Sequence, residues 1–252
     1  MKNAVVSEWK LLIFSSGFYV GILLVMAGGL LGGGSLILSI RGGMDLGDNV
    51  IFFTVAQEAM ASDLFCMMMP IACVLSGATS FMEDMHSRFL WYRCLRSQKK
   101  PYLFSKVLTA LLSGGVVAVI GSLFIFIICL ALFWPDAGQW KLFQEYREVY
   151  FRLMVGNIGL ACFNGTFWVL VGAVVSIITN SKYMAYASPF IIYYVWTTLL
   201  DSYFPEMYML NPGEWEAPQR LAIWICILIF AILDSVMAVI YYKTMERRLK
   251  DG

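Results

Sequence analysis

Charge is what this chain has least of. Only 14% of its 252 residues are Asp, Glu, Lys or Arg, against 60% hydrophobic, and the mean hydropathy is +0.73. Soluble domains carry about a quarter charged residues, so this composition excludes an ordinary water-surrounded globule. Histidine occurs once, at His86, and no two cysteines stand at ligand spacing, so the sequence offers no zinc site. The six cysteines (Cys66, Cys73, Cys94, Cys129, Cys162 and Cys226) fall in apolar runs or in one basic loop, which argues against a disulfide framework. No P-loop, HExxH or GxSxG motif occurs, and no close pair of acids lies within an apolar run. Neither ATP hydrolysis nor another enzymatic activity is expected of this chain, and it calls for no cofactor of its own. The net charge of +1 gives no pointer to nucleic acid. Alternating strands of about ten residues, the mark of a membrane barrel, are also missing.

What is present is a series of long apolar runs near the ~20 residues that cross a bilayer as helix. We expect an all-α polytopic membrane protein, one transmembrane domain over residues 1–252. The predicted spans are about 11–31, 60–81, 107–133, 153–179, 183–203 and 221–242. The first run continues to Leu31 with no convincing cleavage site, so it reads as an uncleaved span. It closes on Ala27 to Gly34, AGGLLGGG, glycine dense enough either for close helix approach or for an unravelled helix end. Residues 41–58 read as polar and turn-rich. Pro70 should kink the second span. On the fourth span Ala161, Gly165, Gly172 and Ser176 share a face, as a close helix–helix contact requires, and Asn157 and Asn164 point one way. The segments 134–150 and 204–220 read as polar connections, and their acids fit an ordinary solvated surface.

Charge placement orients the chain. Glu83 to Lys106, EDMHSRFLWYRCLRSQKKPYLFSK, holds six of the 18 Lys and Arg residues and the single histidine. With this loop, both ends and the 180–182 turn on the cytosolic side, 13 of the 18 cations lie inside. Only Arg41, Lys141, Arg147, Arg152 and Arg220 lie outside. Cations concentrate on the cytosolic side, so six spans with both termini cytosolic is the expected topology.

Within the membrane, Asp234 in the sixth span is a conspicuous acid. A charge there costs several kcal/mol, roughly 3 to 10 or more, unless paired or hydrated. It is either a pathway-lining group or a carboxyl hydrogen-bonded to a neighbouring helix, and the second suits a lone acid better. The run Cys66-Met67-Met68-Met69 cannot form one metal site, because consecutive helical residues point in different directions. Tyr193, Tyr194 and Trp196 in the fifth span suit packing or lining.

The loop also carries a resemblance. Glu83 follows the second span. A mixture of basic and aromatic residues runs from Arg88 to Arg96, and Ser97 to Ser105-Lys106 leads into the third span. In this the chain resembles the six-span permease subunits of type-2 ABC transporters, particularly short bacterial ones of the lantibiotic and peptide-export kind. The resemblance implies a bacterial plasma-membrane exporter subunit for an amphipathic or hydrophobic substrate (peptide, lipid or drug). It implies a separate ATPase subunit carrying ATP and Mg, docked on a coupling helix that includes Glu83, Asp84, Arg88, Phe89, Arg93 and Arg96. It further implies a second permease copy, identical or different, with the second and fifth spans lining the path amid membrane lipid. Candidate lining residues are Met67, Pro70, Tyr193, Tyr194 and Trp196. The alternatives are a non-transporting interaction, immunity or assembly subunit, or an ion-coupled carrier. A carrier calls for more midplane polar groups than Asp234, Asn157 and Asn164.

Overall fold

A computed structural model describes residues 2–43, 50–87 and 99–251. Their architecture is 88% helical, with no strand among the described residues. The helices are α1 (Lys2–Ile13), α2 (Ser16–Gly32), α3 (Gly34–Arg41), α4 (Ile51–Ala61), α5 (Asp63–Val74) and α6 (Ser80–His86). After them come α7 (Lys99–Leu132), α8 (Ala137–Glu145), α9 (Arg147–Thr179) and α10 (Lys182–Tyr203). A 3-10 turn (Pro205–Leu210), α11 (Pro212–Glu216) and α12 (Ile223–Asp251) complete the chain.

Three helices, α7, α9 and α12, are long and apolar enough to cross a membrane, or up to five segments if each of two bent pairs is one span. The bent pairs are α1 with α2 (61°) and α4 with α5 (64°). The hydropathy of α10 falls below that of these helices, because it carries Lys182, Asp201 and several tyrosines.

Both bends have the same local cause. Ser15 and Ser62 each sit in extended backbone, and each side chain accepts a hydrogen bond from an N–H three residues on, Phe18 and Phe65, both at 3.3 Å. A serine in this role ends one helix and starts the next. The second span is therefore broken at Ser62, while α5 runs on through Pro70. Residues 51–58, expected as a polar connection, are helical because Phe52, Phe53, Val55, Ala56 and Ala59 form a buried face. The polar residues of that stretch, Gln57 and Glu58, lie off it.

The centre of the bundle is α9. It packs against α5, α7, α10 and α12. Of its apolar window 72% is buried, against 17% for α12. The predicted small-residue face takes close approaches from several neighbours. A Cβ on Gly165 would meet the Gly114 carbonyl oxygen of α7 at 2.6 Å, one on Gly172 would meet the Ala185 carbonyl oxygen of α10 at 2.9 Å, and Ser176 donates to the Ala78 carbonyl oxygen, between α5 and α6, at 3.5 Å. Asn180, at φ 53, ends α9 in the left-handed conformation that asparagine tolerates. By contrast α12 exposes Trp224, Leu228, Ile232, Val236 and Val239, an apolar stripe.

The segment after α10 departs most from expectation. Residues 211–216 fold back into the bundle, burying Asn211, Pro212, Trp215 and Glu216, while the 3-10 turn before them stays at its surface. Pro212 sits at the first turn of α11, and Asn211 caps it by accepting from Gly213 N at 2.9 Å. The Trp215 indole donates to the Met209 carbonyl at 2.7 Å, and its rings lie 6.0 Å from both Trp196 and Phe230.

The α7–α9 contact is checked by a matched pair. Gly165→Ala forces two backbones apart and should lower stability by about 1–3 kcal/mol. Gly159→Ala, where the nearest atom is Ile227 Cδ1 at 3.7 Å, should be neutral or stabilising. Thermal unfolding of the two purified variants distinguishes them.

Candidate functional site

Two polar clusters stand out in this apolar bundle, one at each end. The first sits under the basic loop. Lys106, on the first turns of α7, is 2% exposed. Its Nζ lies 2.7 Å from Glu8 Oε2 on α1 and 2.8 Å from Asp84 Oδ2 on α6, and donates to Ser80 Oγ at 2.7 Å. The Tyr102 hydroxyl donates to the same Asp84 oxygen at 2.8 Å. Asp84 lies in the first stem of the 83–106 loop and Tyr102 in the second, so the loop's two stems are bonded to each other. A second tie reaches α10: Lys182 lies 3.3 Å from Glu83 Oε1, and the Thr79 and Tyr186 hydroxyls are 3.4 Å apart. A cavity of about 670 Å³ adjoins the cluster, lined in part by Ser15, Ser80 and Tyr186.

Burying one ammonium among carboxylates is stable only where each partner is bonded, since removing one member leaves a costly buried charge. The geometry meets that condition with a serine, a tyrosine and two acids around one lysine. The cluster ties α1, α6 and α7 to one another, and Lys182 and Tyr186 add contacts to α10.

The second cluster lies at the opposite end, around Glu216 of α11. This acid was expected on a solvated surface, yet it is 7% exposed. The Trp168 indole of α9 donates to Glu216 Oε1 at 2.9 Å. Burial pushes the Glu216 carboxyl up to about 8, opposed by hydrogen bonds from Trp168, Asn164 and Cys66.

The sequence-predicted residues are placed as follows. Arg88, Phe89, Arg93 and Arg96 lie outside the described residues, while Glu83 and Asp84 belong to the stem ties. Pro70 and Tyr193 are buried within the single chain, and Met67 is half-buried. Tyr194 and Trp196 are exposed on α10, next to exposed Ile191, Val195 and Leu199. Asp234 is buried and accepts a short hydrogen bond from Thr166 of α9. That bond joins α12 to α9, while the other carboxylate oxygen is buried and makes no hydrogen bond. Sequence reasoning placed Asn157 and Asn164 on one face, and both line one cavity near Glu216. It missed Glu8, Lys106 and Glu216 as a buried set, although a lysine among apolar neighbours at a span boundary was a usable signal.

No family model matches the chain, and no curated protein matches it.

Two outcomes test these clusters. Lys106→Met removes the cation that Glu8 and Asp84 share and should cost about 3–5 kcal/mol. Lys99→Met, at an exposed position, should change stability by less than about 0.5 kcal/mol. Chemical unfolding in detergent compares them. For Glu216 the raised pKa means that the folded state holds a proton which the unfolded state has lost, between its ordinary value near 4.5 and about 8. Stability should therefore fall as pH rises through that window, by at most about 1.4 kcal/mol per unit, and level off above it. Glu216→Gln should flatten that slope.

Proposed function

We propose that this chain is the membrane-spanning permease subunit of an ATP-driven exporter. It has six spans and cytosolic termini, and it is driven by a separate ABC-type ATPase that holds ATP and Mg. The observation that carries the proposal is the bonded base of the 83–106 loop. A loop that receives a mechanical stroke must be joined rigidly to the helices it moves. Here the joint is a buried ion cluster reaching α1, α6 and α7, with an exposed Lys182–Glu83 pair adding a contact to α10. Arg88, Phe89, Arg93 and Arg96 on the loop are the proposed contacts with the ATPase, in a bacterial plasma membrane. The cation bias of the loops supports that orientation.

Two further features agree with it. The exposed aromatic and aliphatic face of α10, with Tyr194, Val195, Trp196 and Leu199, suits a second permease copy or lipid. The bends at Ser15 and Ser62 supply breaks in two helix pairs where a stroke is absorbed without breaking a hydrogen-bonded helix interior. The substrate class proposed is amphipathic or hydrophobic, moved along the α5 and α10 side of the bundle.

Affinity purification in mild detergent, from cells expressing the neighbouring genes, tests this proposal. A stoichiometric ATPase should accompany the wild-type chain. Arg93→Glu and Arg96→Glu should reduce its recovery about tenfold or more, the range for a truncated buried charge pair, while the variants still insert. Normal ATPase recovery and continued transport in both variants would sink the docking assignment. A clean homo-oligomer without ATPase would sink the permease reading.

A further inference from the structure

At the end of the bundle away from the 83–106 loop, a cavity of about 400 Å³ opens between α4, α5, the first half of α9 and residues 216–223. One wall is polar, formed by Gln57, Glu58, Asn157, Asn164, Glu216 and Gln219, and no Lys, Arg or His is among the described lining residues. Two oxygens in this wall, Glu216 Oε2 and Asn164 Oδ1, are buried and make no hydrogen bond. Their residues are 7% and 2% exposed. Buried acceptors left unmade are costly, and each calls for an explanation.

Once Glu216 has lost its proton, above about pH 8, the missing partner must donate hydrogen bonds, and beside two acids and no cation it should be positive. A hard metal ion takes six or more oxygens, and no group of three His, Cys, Asp or Glu among the described residues is set to hold a metal. A guanidinium prefers both oxygens of a carboxylate. Here Oε1 is already occupied by the Trp168 indole, which leaves one. A primary ammonium is a compact charge with three donors and needs no bidentate partner.

We propose that this cavity binds a primary ammonium group, its N–H donors directed at Glu216 Oε2 and Asn164 Oδ1, with Trp168 holding the carboxylate in place through Oε1. Its volume leaves room for the alkyl stem of a lysine-like side chain. The same group is carried by soluble amines and by the headgroup of phosphatidylethanolamine. The proposal stands on the cavity alone and does not need the ATPase.

The experiment uses the full chain in nanodiscs of phosphatidylcholine and phosphatidylglycerol, titrated with Nα-acetyl-lysine amide. The ε-acetylated analogue, which has lost the charge, is the control. The ammonium probe should raise the unfolding temperature saturably and shift tryptophan emission, and the acetylated one should not. Glu216→Gln keeps an acceptor for Trp168 and should weaken binding about tenfold or more, as loss of a charge-assisted bond does. Wild-type binding should strengthen between pH 6.5 and 8.5, as Glu216 loses its proton near 8 while a lysine amine stays charged below about 10. The other ionisable groups in this region are Glu58 on α4, Asp63 and Cys66 on α5, and Tyr193 on α10. A second set of nanodiscs replaces phosphatidylcholine with phosphatidylethanolamine. If the lipid is the source, that lipid stabilises the wild type but not Glu216→Gln and blocks the soluble probe. Equal responses to charged and acetylated probes, with no headgroup effect, would overturn the proposal. So would a flat pH profile in the wild type, which decides the matter even if the variant fails to fold.

Discussion

Lys106 holds together the part of this molecule that differs from a plain apolar bundle. Around it everything is set by one constraint: a buried charge must find its partners inside the chain. Glu8 comes from α1, Asp84 and Ser80 from α6, and Tyr102 from the same helix as the lysine. Three separate helices are thereby drawn to one point. The α1–α2 bend follows from the same demand. A straight helix through residues 6–32 could not both lay Glu8 against Lys106 and run α2 along α5 and α7, and the Ser15 cap supplies the break.

The same constraint acts again at the far end with a different result. Glu216 is buried by the fold-back of residues 211–216, and it meets an indole, an amide and a thiol but no cation. The lysine cluster is satisfied by ion pairing. The glutamate is satisfied on one oxygen only. Asp234 is alike, with Thr166 bonded to one oxygen and the other unpartnered. The buried acids of this apolar chain thus show two different degrees of satisfaction. A fully bonded cluster suits a joint, and a half-bonded one suits a site that a ligand completes.

Much of the architecture was legible along the chain. Apolar run length marked α7, α9 and α12, and the small-residue spacing of Gly165, Gly172 and Ser176 marked the closest helix contacts. The seven-residue step from Asn157 to Asn164 marked a polar face. What failed was the assignment of segments whose polarity is mixed. Residues 51–58 were read as turn because Gln57 and Glu58 drew attention from the buried face formed by Phe52, Phe53 and Val55. Residues 204–220 were read as a solvated connection because four charges lie there. The sequence points to a kink at Pro70, and the structure adds a 64° bend at Ser62, eight residues earlier, with α5 running on through Pro70.

From the sequence alone follow the all-helical class, the membrane-grade hydropathy and the clustering of cations in a few segments of the chain. These depend on composition and on spacings of three, four and seven residues, which are local quantities. Only the tertiary structure decided that Lys106 pairs with Glu8, 98 positions away, and that Glu216 sits against Trp168, 48 positions away. It also decided that two helices bend at serines. The physical reason is common to all three. Periodicity tells which face of a helix is apolar, but the pairing of a buried charge depends on which distant helix lies against that face. That is settled when close approaches such as Gly114 on Gly165 bring the helices into register.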